Sequence, residues 1–202
     1  MGLTGGIATG KSLVSEYFRE LGAYVIDYDM ISRLVVEPEL PAWHDIVKYF
    51  GRGILQKDQR IDRTKLGVIV FNNKYKRKKL ESYIHPCIIE EAKKQESAIV
   101  KTDPNAIIIH NVPLLFETGI DKSVDITIAI YADEGKQLDR LIKRDGMNEV
   151  DANNRIKAHF SSQEKIQRAD FIIDNNGPIE ETQRQVLELY LKITSPVDNN
   201  HN

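Results

Sequence analysis

Gly5-Gly6-Ile7-Ala8-Thr9-Gly10-Lys11-Ser12 decides how this chain is read. It is a full G-x-x-x-x-G-K-S pattern, a loop that turns backbone N–H groups inward around a polyphosphate. Its glycines supply the positive φ angles such a turn demands. Lys11 is expected to reach the β- and γ-phosphates, and the Ser12 hydroxyl to hold Mg²⁺. Ser12 to Leu21 carries helical periodicity, so a helix N-terminus would also face the phosphates. Gly6, Ile7, Ala8, Thr9, Gly10, Lys11, Ser12 and Leu13 are therefore the expected nucleotide-binding residues. An ordinary Gly-rich turn before a helix is the bland alternative, and the strand-loop-helix context argues against it.

The rest of the composition sets bounds. Two hundred and two residues suit one α/β domain with room for an inserted subdomain. A 41% hydrophobic share can build a sizeable core, and a formal charge of −2 gives no global drive toward nucleic acid or anionic membrane. Cys87 is the only cysteine, which rules out an intrachain disulfide or a cysteine-based zinc site. The histidines show no metal-ligand spacing. No signal peptide precedes the loop, and no apolar run approaches the ~18 residues of a membrane span. A soluble cytoplasmic protein is the default expectation. Only Met1 to Thr4 precede the glycines. Either the strand feeding the loop is very short or the chain begins inside it, which bears on stability because that strand should be buried on both faces.

Along the chain, Tyr24 to Asp27, Ala106 to His110, Asp125 to Tyr131 and Phe171 to Asp174 read as buried strands. Helices are expected at Met30–Val36, Glu134–Arg144, Glu149–Phe160 and Ile179–Lys192, and Lys74 to Lys101 reads as one long helix or two, bent or broken around Pro86. Strands alternating with helices imply a doubly covered parallel sheet. The expected fold is α/β, a three-layer phosphate-loop type with a five-stranded parallel sheet. The domain reading is one kinase domain over 1–194, with a helical insertion at about 38–101, a lid at about 136–160 and a disordered tail at 195–202.

Further segments carry a family signature. They are Val25-Ile26-Asp27-Tyr28-Asp29, Ile61 to Gly67, His85-Pro86, Pro113-Leu114-Leu115-Phe116-Glu117, Arg140 to Asp145 and Ala169 to Asn175. With the loop they span nearly the whole chain, and in this order the chain resembles dephospho-CoA kinase. The phosphate loop alone fits many families; the Pro-Leu-Leu-Phe-Glu and double-Asp segments are far more specific. The resemblance implies phosphoryl transfer from ATP, with Mg²⁺, to the ribose 3′-hydroxyl of dephospho-CoA.

Site residues follow from both readings. Strand periodicity would put the carboxylates of Asp27 and Asp29 on one side, beside the acceptor hydroxyl; the alternative is that one of them caps a helix near Met30. In the family the second aspartate is the favoured base, hence Asp29, with Asp27 at the substrate. Tyr28 departs from the small residue usual between them. Arg140 and Arg144 share a helix face, expected either to lie in solvent or to swing onto the γ-phosphate as a lid. Arg155 on the next helix is counted with that lid, and His159 stands where the family usually has Gln and is given no role. Asn111 occupies a strand end where an acid commonly supports Mg²⁺, which leaves Ser12 as the expected metal ligand. Arg63, Lys65, His85 and Leu115 are expected near the acceptor, against plainer readings as helix start, structural hydrogen bonder and core. Asn175 is expected to border the nucleotide. The run from Lys74 to Lys79 is taken as a solvated helix face. Rivals are another small-metabolite kinase, a nucleotide-dependent switch and an inactive nucleotide binder; no N-K-x-D motif supports a GTPase. The oligomeric state is not readable.

Overall fold

Short β-branched runs become strands here because helices can cover them on both faces. The computed structural model describes residues 1–71, 73–158 and 162–195. Strands β1 (Gly2–Gly5), β2 (Tyr24–Asp27), β3 (Ile108–Asn111), β4 (Thr127–Tyr131) and β5 (Phe171–Asp174) form one sheet. Its order is β2-β3-β1-β4-β5, and its strands run parallel. Leu3 stands opposite Asn111 on one side and Ile128 on the other. The four-residue β1 is thus the middle strand, buried along its whole length.

Helix α1 (Lys11–Glu20) follows the phosphate loop, and α9 (Ile179–Thr194) packs beside it. Their apolar stripes, with Val14, Phe18, Val186 and Leu189, close over Leu3, Ile109, Ile128, Ile130 and Ile173. Thr4 alternates with Leu3 and so points to the opposite face, where it meets Lys165 of α8 (Ser162–Arg168). Helices α6 (Glu134–Asp145) and α7 (Glu149–Ala158) pack on each other. Gly146, at a left-handed φ of 64°, ends α6. Asp170 joins the strand starts by accepting from the Thr127 N–H at 2.8 Å and its hydroxyl at 2.7 Å. Those bonds hold its carboxyl below the usual range.

The chain divides into two compact units, one of Met1–Ile26 with Asn105–Asn202 and one of Asp27–Pro104. The second holds α2 (Tyr28–Leu34), α3 (Pro41–Phe50), α4 (Arg63–Phe71) and α5 (Lys74–Thr102). It begins at Asp27 rather than near Pro38 because α2 packs against α5. It has its own core of Trp43, Ile46, Ile54, Ile61 and Leu66, and the Trp43 indole donates to the Gln59 carbonyl at 2.8 Å. Pro86 lies inside α5, which continues through it as one helix. His159, Phe160 and residues 196–202 of the expected lid and tail lie outside the described residues; Ser195 ends α9.

Candidate active site

The loop between β1 and α1 makes its turn with an unexpected division of labour. Gly10 takes a left-handed φ of 98°, but the other positive angle, 57°, falls on Ala8 and not on a glycine. Gly5 is required for closeness instead: a Cβ there would stand 3.2 Å from the Ile130 carbonyl oxygen. Thr9 is fully buried, and its hydroxyl donates to the Gly6 carbonyl at 2.9 Å. Gly6, Ile7 and Ala8 line the loop half-exposed. Gly10 begins α1 with no side-chain cap and no acid in the first turn, so nothing in that turn itself offsets the positive helix end. Leu13 follows in the first turn of the helix. Its N–H bonds the Gly10 carbonyl at 3.0 Å and its side chain packs against the core, so it belongs to the helix.

Lys11 Nζ donates to Asn111 Oδ1 at 2.6 Å. Asn111, 1% exposed, therefore has a use that sequence reasoning did not find: a neutral amide holds the loop lysine. Ser12 is exposed and its hydroxyl makes no hydrogen bond among the described residues. Among those residues no cluster of His, Cys, Asp or Glu could hold a metal. One hydroxyl beside bound phosphates suits Mg²⁺, which keeps much of its water and takes few protein ligands.

Two further residues meet the loop. Arg140, on α6, lays Nη1 on the carbonyls of Ala8 and Thr9, both at 3.2 Å, and Nη2 on the Asn175 carbonyl at 2.9 Å. Asn175, just past β5, is 3% exposed. Its Nδ2 donates to the Thr9 carbonyl at 2.7 Å, and its Oδ1 accepts from the Thr182 hydroxyl at 2.9 Å. Both ends of that amide are engaged inside the protein.

Arg144 does not share Arg140's target. It makes a two-point contact with its neighbour Asp145, Nε to Oδ1 at 2.7 Å and Nη2 to Oδ2 at 3.0 Å. Arg155 of α7 approaches the same carboxylate at 3.7 Å. The Arg144 hydrogen bonds, then the two positive charges, hold the Asp145 carboxyl below the usual range.

Leu115 is fully buried, and a Cβ on Gly2 would meet its methyl groups at 2.9 Å. With no exposed surface it is core and not an acceptor contact. Nearby, Lys165 is 3% exposed in its side chain and pairs with Glu117 at 2.7 Å. Its Nζ also donates to the Pro113 carbonyl at 2.8 Å. Sequence reasoning missed Lys165 because nothing local marks it.

The second unit places the remaining candidates. α2 starts at Tyr28, directly after the strand, so the alternation expected to align Asp27 with Asp29 stops at Asp27. Asp27 Oδ1 instead accepts from the N–H groups of Asp29 at 2.8 Å and Met30 at 3.0 Å. Asp27 is the helix cap and Asp29 a first-turn residue. Burial, then the charge of Glu96, push the Tyr28 phenol up. Asp27→Ala should cost about 1 kcal/mol in denaturant unfolding, and Asp27→Asn much less, because the amide oxygen still caps.

Asp62 similarly caps α4, accepting from the Lys65 N–H at 3.0 Å, and Lys65 Nζ lies 3.7 Å from the same carboxylate. Arg63 borders a cavity of about 350 Å³ with Arg33 and Arg60. Arg60 is held by Glu37 at 3.1 Å, whereas Arg33 and Arg63 make no ion pair among the described residues. Arg33 was not legible as a partner of Arg63, since the two come from different helices. His85 is half-buried and its side chain makes no hydrogen bond among the described residues.

Comparison with known proteins bears on this arrangement. The family model of dephospho-CoA kinase matches residues 1–181. A dephospho-CoA kinase of Geobacillus kaustophilus is 47% identical over 189 residues, 94% of each chain. The solved dephospho-CoA kinase of Campylobacter jejuni superposes with a TM-score of 0.69 at 31% identity, covering 96% of each chain. A crystal structure from Thermus thermophilus superposes with a TM-score of 0.85 at 25% identity, covering 96% of this chain and 97% of that one. No helix among the described residues is long and apolar enough to cross a membrane. A phosphate loop with its lysine in place, carried on this parallel sheet, and a family match along most of the chain lead to one assignment: the chain belongs to the dephospho-CoA kinase family.

Proposed function

We propose that the chain transfers the γ-phosphoryl group of ATP to the ribose 3′-hydroxyl of dephospho-CoA, yielding coenzyme A and ADP in the cytoplasm. The observation that carries this reading is Lys11, held by Asn111 at 2.6 Å at the start of an uncapped helix. The loop amides and Lys11 bind the β- and γ-phosphates, and Ser12 is the protein's ligand to Mg²⁺. Bound with ATP, that ion neutralises phosphate charge. Asp29 accepts the proton of the 3′-hydroxyl as its oxygen bonds to the γ-phosphorus and the bond to the ADP oxygen breaks. Arg140 stabilises the transferring group from the loop side. Arg144 would join it only by leaving Asp145.

In the second unit, Arg63 with Arg33, together with Lys65 and His85, supplies cationic and hydrogen-bonding contacts for the polyanionic acceptor. Asp27 supports them indirectly, by fixing the helix that carries Asp29. Small molecules are the only partners this reading requires.

The test is ADP release from Mg²⁺-ATP with dephospho-CoA, AMP, adenosine or shikimate as acceptor. Release dependent on dephospho-CoA, with coenzyme A seen by mass spectrometry, is expected. Asp29→Asn should lower kcat about 10²-fold with little change in either KM. Turnover with another acceptor alone would discard the assignment of substrate.

A further inference from the structure

Asn175 lies far from the phosphate loop in sequence and is wedged beneath it in space. A Cβ on Gly10 would overlap Asn175 Nδ2, so glycine at this position lets the amide close up under the turn. A trans peptide unit is planar, with its C=O and N–H pointing in opposite directions. The Thr9 carbonyl is drawn toward Asn175 Nδ2 at 2.7 Å, and toward Arg140 Nη1 at 3.2 Å. The N–H at the other end of that peptide, on Gly10, is thereby aimed away from Asn175. It has no partner among the described residues. An amide side chain can also flip, and a flipped Asn175 would set its oxygen against the Thr9 carbonyl. The Thr9 carbonyl can only accept, so it fixes the NH₂ end toward the loop, and the Thr182 hydroxyl, donating to Asn175 Oδ1 at 2.9 Å, holds the amide there from its other end. Thr182 and Asn175 are 0% and 3% exposed, so water does not compete with these bonds.

We propose that Asn175, locked by Thr182, is a positioning residue that aims the Gly10 N–H at an ATP phosphate. The proposal rests on the ATP-dependent reading above but concerns nucleotide binding alone.

Its test is calorimetric binding of a non-hydrolysable ATP analogue with Mg²⁺, without acceptor, to the full chain and three variants. Asn175→Asp keeps the Thr182 bond, replaces the donor facing Thr9 by an acceptor and adds negative charge near the phosphates. It should weaken binding about 30-fold at pH 8. Protonating that carboxyl restores a donor, so the ratio of variant to parent affinity should narrow as pH falls toward 5. Thr182→Val, close in volume and lacking only the hydroxyl, should weaken binding about fivefold. Thr182→Ser should restore it. In turnover assays KM for ATP should rise while KM for dephospho-CoA stays within about twofold. A merely structural residue would give neither the pH-dependent ratio nor the split in KM.

The proposal is overturned if Asn175→Asp and Thr182→Val both bind the analogue as the parent does. It is equally overturned if Asn175→Asp loses affinity by a factor that does not change with pH. Should Asn175→Asp fail to fold, Thr182→Val and Thr182→Ser decide alone. A parent that binds the analogue but never phosphorylates dephospho-CoA would discard the substrate assignment and leave the binding pattern to be judged by itself.

Discussion

Lys11→Met is expected to lower kcat/KM about 10³-fold while leaving the fold intact. Methionine matches the length of the lysine stem and deletes only the charge and its donors. Among the contacts that change removes in the resting protein is the hydrogen bond to Asn111. Because Asn111 is an amide, no unpaired charge is left behind in its buried position. An aspartate there would have made the same variant unstable and its kinetics hard to read. With ATP bound the loss is larger, since Lys11 would face phosphate oxygens whose charge redistributes as the terminal group departs. Steady-state kinetics and thermal melting, read together, check this: a melting temperature within about 2 °C of the parent beside the kinetic loss is the expected pair. Activity within tenfold of the parent would remove Lys11 from the chemistry. Lys11→Arg should recover little, because a planar fork does not substitute for a compact ammonium in a tight loop.

Lys165→Met should cost about 4 kcal/mol of stability. Three acceptors converge on its ammonium: Glu117 at 2.7 Å, the Pro113 carbonyl at 2.8 Å and, more distantly, the Thr4 hydroxyl at 3.5 Å. The other oxygen of Glu117 is buried with no hydrogen-bond partner among the described residues, so this carboxylate relies on Lys165 for its compensation. Removing the lysine strands a buried charge. Arg168 gives α8 a second hold, pairing with Asp121 at 3.4 Å and lying 4.5 Å above the Phe116 ring. Its partial exposure makes it the weaker of the two. The double variant Glu117→Leu with Lys165→Met should regain most of the loss, because an apolar pair of similar volume escapes the desolvation penalty. Urea unfolding of the single and double variants is the measurement, and equal stability of Lys165→Met and the parent would contradict the account.

The parts of this protein that were readable beforehand are those whose signal is local. The phosphate loop is a contiguous pattern, and the strands are contiguous apolar runs, so both were found with ends off by a residue or two. The Asp27–Asp29 geometry failed for a local reason too. A strand-like alternation and a helix-start signal overlap on the same residues, and capping prevailed at Asp27. The contacts of Asn175 and Lys165 were illegible for a different reason. Their partners, Thr9 and Glu117, stand 166 and 48 positions away, and neither spacing nor periodicity can announce a contact closed by the whole fold. The same holds for Leu115, where an apolar segment in a signature looked like a binding wall and proved to be core.

The central strand also has a consequence for how the polypeptide is made. Of the five strands β1 is made first, yet both of its neighbours in the sheet, β3 and β4, are synthesised only after the contiguous Asp27–Pro104 unit. That unit has its own core and a continuous stretch of chain, so it can begin to organise while β1 still has nothing to pair with. Domains emerging in order tend to fold as they appear. The phosphate loop, though encoded before that unit, therefore takes shape after it on a nascent chain: its brace, Asn175, is translated 166 positions after Thr9.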